Sequence, residues 1–120
     1  MPGQTLVNSA TPSLPFWVND VGQDDLFSIT VVSGSSVLAA GTVMGKQSGG
    51  GPAEHLKYDA YANGNSDGTE TAVGILYRDA DPRTGDVLAS LMVRGDVRSG
   101  SLVGFDANAA TDLANRFFFV

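Results

Sequence analysis

The 120-residue chain contains no cysteine. Disulfide staples, thiolate-bound zinc and thiol catalysis are therefore excluded, and the fold must rest on packing and hydrogen bonds alone. A chain of this length can bury about two-thirds of the surface it exposes when unfolded, enough for one domain with a modest core. Histidine is nearly missing too. His55 stands alone beside the glycine-rich stretch "KQSGGGPAE", with no second imidazole to share a metal. A serine–histidine–carboxylate triad would need His55 next to an activated serine, and no G-x-S-x-G elbow occurs.

Positive charge is scarce. Seven basic residues face thirteen acidic ones, for a net charge of −6. Lys46, Lys57, Arg78, Arg83, Arg94, Arg98 and Arg116 are scattered along the chain. Nucleic-acid binding needs a concentrated positive footprint, and an anionic membrane surface asks for the same. Neither partner is expected. Long hydrophobic runs are also lacking: none approaches the ~20 residues of a membrane-spanning helix. The first residues carry no Lys or Arg and no apolar block of roughly 7–15 residues, so a secretory leader is not expected.

Residues 1–19, "MPGQTLVNSATPSLPFWVN", hold no charged side chain. Pro2, Pro12 and Pro15 interrupt any helix or central strand. This predicts an extended N-terminal arm over 1–19, followed by a β domain over 20–120. Phe16, Trp17 and Val18 are costly to leave in water, so the second half of the arm is expected to pack on its own domain. The first half, with Thr5, Leu6 and Val7, is left for a partner.

From residue 26 the pattern becomes β. The segments "LFSITVV", "VLAAGTVMG", "LKYDAYA", "TAVGILY" and "VLASLMVRG" are apolar or alternating and are separated by turn-rich stretches. In the last of them Val87, Ala89, Leu91 and Val93 form an apolar side, and Leu88, Ser90, Met92 and Arg94 a mixed one that suits solvent or a neighbouring subunit. "DANAATDLANRF" predicts one short C-terminal helix, with Asp106 as N-cap and Ala110, Leu113 and Phe117 on its buried face. The closing "FFFV" is expected to be buried in the core or in an oligomer interface. Gly74 lies inside an otherwise apolar strand, which predicts a bulge or the close passage of another chain segment. Gly41, Gly45 and Gly95 bound strands or turns and are expected to be structural as well.

The chemistry-bearing strings fail on particular positions. "GTVMGKQ" has three residues between its glycines where a phosphate-binding loop needs four, and Gln47 replaces the required Ser or Thr. "NGNSDG" resembles the start of a calcium loop, but Asn63 stands at its first position and Gly74 at its twelfth. "DAD", residues 79–81, reads as solvated carboxylates. Arg94, Gly95 and Asp96 spell an integrin-type tripeptide, but the better reading is a strand end with a turn at Gly95. No catalytic, cofactor or metal site is expected. A small β binding module for a glycan or host-surface ligand is the second reading; its aromatics, Trp17, Tyr58, Tyr61 and Tyr77, have no regular spacing.

The segments "AAGTVMGKQ" (39–47), "DGTETAVGIL" (67–76), "LMVRGDV" (91–97) and the alanine-rich helix before an apolar ending together resemble the phage head decoration proteins typified by the lambda head protein D. The resemblance spans roughly 28–120. It implies a compact, mainly-β fold of β-tulip or barrel type that assembles as a homotrimer. It also implies a place on the exterior of the virion capsid, at three-fold positions of an expanded head. There such trimers cement the major capsid protein against the pressure of packaged DNA, without cofactor or catalysis. The protein would be made in the host cytoplasm. The arm, with Thr5, Leu6, Val7, Pro15, Phe16 and Trp17, would be the capsid-binding element.

Overall fold

The computed structural model describes residues 15–18, 21–48 and 57–120. Its longest ladder joins β1 (Leu26–Val31) to β5 (Val87–Met92), antiparallel, with Leu26 opposite Met92 and Val31 opposite Val87. β1 also pairs in parallel with β3 (Lys57–Ala60), which pairs antiparallel with β2 (Val43–Lys46). β2 pairs with β4 (Ala72–Leu76), and β4 returns to β5, closing a five-stranded barrel in the order β1-β3-β2-β4-β5. Closure removes the open edges that short β-rich segments would otherwise present. Outside the barrel, β6 (Gly95–Val97) and β7 (Phe117–Phe119) form a parallel two-stranded sheet, and α1 (Ala107–Leu113) precedes β7. The mainly-β barrel with one short C-terminal helix is the expected architecture.

Alternation along the strands sends neighbouring residues into two cores. Met44, Leu76 and Leu91 join Ile29, Val31 and Ala80 inside the barrel. Val43, Ile75 and Met92, one residue away on the same strands, point outward and meet Phe16, Val97, Ala109, Leu113 and Phe117. Each such side chain contributes about 1.5–3 kcal/mol on full burial. The mixed side of β5 is thus split: Met92 is buried in the outer core, and Leu88 is 83% exposed.

The wall between the cores is pinched. Met44 pairs with Gly74 but Gly45 pairs with Ala72, so Val73 is the extra residue of a bulge in β4. A Cβ on Gly74 would lie 2.7 Å from Leu91 Cγ and 2.7 Å from the Met92 carbonyl oxygen. On Gly45 it would lie 2.5 Å from Thr69 Cα. Gly41 and Gly95 meet a different constraint, positive φ values of 93° and 142°. The turn at Gly41 also confines the segment expected at 37–45 to isolated bridges at Leu38 and Thr42 and the short β2.

Helix α1 is tied to the barrel by two carboxylates. The Asp106 carboxylate accepts from the Ala109 amide at 2.8 Å, capping the helix, and from the Tyr61 hydroxyl at 2.8 Å. Asp112 accepts from the Ala72 amide at 2.9 Å, beside the bulge. The helix stops at Leu113 after two turns, so its buried residues are Ala109 and Leu113, at i and i+4. Ala110 is only half-buried, and Phe117 reaches the same core from β7. The expected face of Ala110, Leu113 and Phe117 extends a period of 3.6 past the helix end. "FFFV" likewise alternates: Phe117 is buried, Phe119 is half-buried, and Phe118 is 66% exposed.

Gly74→Val should destabilise the fold by about 3 kcal/mol, because the wall has no slack for a branched side chain. Equilibrium urea unfolding measures this, and an unchanged midpoint would show the pinch to be incidental. Burial, helped by the bond to Asp106, pushes the Tyr61 phenol up to about 12. The folded value lies above the ordinary tyrosine value of about 10. This contribution to stability is therefore complete below about pH 10 and is lost as pH rises towards 12. Tyr61→Phe should cost about 1 kcal/mol at pH 8 and lose less stability than the wild type on going to alkaline pH. Parallel stability–pH curves for the two proteins would contradict it.

Candidate functional site

Residues 15–18, the described part of the expected N-terminal arm, are built into the second sheet. Trp17 bridges antiparallel to Val97 of β6, on the side away from β7. The Val18 amide donates to the Asp96 carbonyl at 2.9 Å, and the Arg98 amide donates to the Phe16 carbonyl at 2.6 Å. The Arg98 guanidinium donates through Nη1 to the carbonyls of Pro15, at 2.7 Å, and Trp17, at 2.9 Å. One residue thus holds three successive carbonyls of the arm. Pro15 has no amide to give a ladder, which suits the point where pairing begins.

Side chains reinforce this backbone clamp. Phe16 is 3% exposed and belongs to the outer core. Its ring meets Trp17 edge-on at 5.2 Å, and Trp17 lies 4.8 Å from Tyr77 in a tilted stack. Such ring pairs add about 0.5–1.5 kcal/mol each beyond burial. Arg78 sits 4.9 Å from the Tyr77 ring centre. A groove of about 840 Å³ runs between Trp17, Tyr77, Asp79 and Ser101, with Pro15 at its wall.

Of the residues read from the sequence as the capsid-binding arm, Pro15, Phe16 and Trp17 come together here, and Phe16 is committed to the chain's own core. Thr5, Leu6 and Val7 lie outside the described residues, as does His55. Sequence reasoning missed Arg98. It is one of several scattered cations, and only the return of the chain past β6 gives it a role. The tripeptide at 94–96 is a junction: Arg94 pairs with Asp25 at 3.2 Å, Gly95 begins β6, and Asp96 receives the arm through its carbonyl.

The other candidate chemistries resolve into local structure. Asp67 accepts from both the amide and the hydroxyl of Thr69, which hold its carboxyl below the usual aspartate range. Asn65 donates to the same hydroxyl, so the calcium-like string is a self-bonded turn. Asp79 accepts from the Ala40 amide, and Asp81 is held by Arg83 in a two-pronged contact that brings its carboxyl down to about 2. Among the described residues, no three His, Asp or Glu side chains gather as a metal site. Nor do the aromatics make one platform: Tyr61 is buried, Tyr58 lies under Lys46, and Trp17 and Tyr77 stack on each other.

Residues 18–116 match the family described as bacteriophage lambda head decoration protein D. The chain belongs to that family. It is therefore of the class of structural phage capsid components. In a comparison with curated proteins nothing matches the chain. The family match begins after Trp17 and ends at Arg116, so both neighbours of β6, the arm root and β7, lie at or beyond its limits.

Arg98→Ala should release the arm root while leaving the barrel folded. Removing hydrogen bonds from a charged donor costs about 1.5–3 kcal/mol. Trp17, the only tryptophan, reports the change as a red-shifted emission, and the Val18 amide should exchange faster with solvent. An unchanged Trp17 spectrum would show that packing alone holds the root.

Proposed function

We propose that this protein is a cement for a phage head. It binds as homotrimers to the exterior of the expanded shell at three-fold positions, attaches to the major capsid protein through residues 1–14, and opposes the pressure of packaged DNA. Family membership supports the capsid role. The observation that carries the attachment is the fastening of residues 15–18 to β6, which gives the preceding segment a fixed point of departure. That segment is uncharged and contains Thr5, Leu6 and Val7, residues suited to adding a strand to a partner's open edge.

Ordering such a segment costs about 1–2 kcal/mol per residue, so a single arm attaches weakly. Three arms on one trimer gain through effective concentration, by roughly 10²–10⁴ over one. A ligand that favours the assembled shell over separated subunits then stabilises the shell by mass action. Catalysis and nucleic-acid binding form no part of this role, and the cytoplasm of the host is where the protein would be made.

Removing residues 1–14 should abolish binding to expanded heads and leave the melting of the domain unchanged. Full-length protein should raise the temperature at which DNA-filled heads rupture. Heads that bind the truncated chain normally would count against the arm, and heads that gain no heat resistance from the full chain would count against cementing.

A further inference from the structure

The barrel has an open mouth. All five strands contribute a lining residue to a cup of about 390 Å³: Phe27, Lys46, Tyr58, Val73 and Leu91. Arg94 and Arg116 complete its rim. Leu91, buried in the inner core, forms apolar floor, while Phe27 stands 61% exposed beside it. Barrel mouths with an apolar floor and a few polar groups are recurrent docking places.

The charge of the rim is unusual for this chain. Three of its seven cations lie here, leaving four for the rest of a molecule with thirteen carboxylates. Arg94 is partly neutralised by Asp25, but Lys46 and Arg116 make no ion pair among the described residues. The Lys46 ammonium instead lies 5.8 Å from the Tyr58 ring centre. Asp24 and Asp79 are exposed carboxylates without an ion pair among the described residues, so a second molecule has acid to offer.

We propose that the barrel mouth seats a second copy of this chain, with that copy's carboxylates on Lys46 and Arg116 and one of its apolar side chains on Leu91. The contact joins two different faces, the kind that closes into a ring when its rotation allows. The proposal rests on the reading of the protein as a self-assembling decoration trimer, and it supplies the face through which the copies meet.

The chain has only two lysines, Lys46 and Lys57, which makes the test direct. Expanded heads are decorated with an equal mixture of light and heavy-isotope-labelled full-length chain. Carbodiimide then couples lysines to carboxylates they touch, and mass spectrometry reads the joined peptides. The expected result is Lys46 joined to an Asp or Glu of a differently labelled copy. Lys46→Glu/Arg116→Glu should weaken head decoration by at least about tenfold, more at low salt than at high. Phe27→Ser, at an exposed position that the fold does not need, should weaken it at both. Lys46 joined only to capsid protein, or both variants decorating like wild type, would overturn the proposal. Attachment of the wild type is scored separately. Its failure would count against the decoration reading, whereas normal attachment without inter-copy products would count against the mouth alone.

Discussion

Gly74 lets the backbone of β4 lie so close to Leu91 and Met92 of β5 that no Cβ fits between them. That contact sets the thickness of the wall from which both cores are built. Leu91 and Leu76 fill the barrel from one side of it, and Met92 and Ile75 anchor the outer layer from the other. A chain without disulfides must obtain rigidity from such shared surfaces, since one small core supplies only a few kcal/mol of net stability. The bulge at Val73 and the Asp112–Ala72 bond lie beside this wall, so helix, sheet and barrel are coupled through a few residues.

From the outer core the coupling continues to the arm. Val97 packs beneath it and pairs with Trp17, Phe16 inserts beside Val97, and Arg98 gathers the carbonyls of the segment. Residues 15–18 are thereby joined to β6 and, through the outer core, to the barrel wall. The acidic remainder of the surface and the cationic barrel mouth provide charge contrast within one chain.

Much of this was legible in the sequence because it depends on local rules. Alternation in "VLASLMVRG", the Asp106 cap and the glycine inside "AVGIL" each point to what the chain does locally. The order of those segments resembled a decoration-protein family, and the family match agrees over residues 18–116. What the sequence concealed depends on long-range return of the chain. Arg98 acquires its partners from residues more than eighty positions away. Met92 shares a mixed face with Leu88, Ser90 and Arg94, and its cover comes from the helix and the second sheet. Phe117 fits a helical period with Ala110 and Leu113, and nothing local marks the break after Leu113 that puts it in β7.

The central claim is that residues 15–18 anchor a capsid-gripping segment to a rigid, barrel-based clamp. Electron cryomicroscopy of expanded heads decorated with the full-length protein tests it most directly. The account predicts trimeric density at the three-fold positions of the outer surface, with the segment before Pro15 continuing from the β6 edge into the capsid lattice. Density attached to the lattice through another face, with that segment pointing away from the shell, would contradict it.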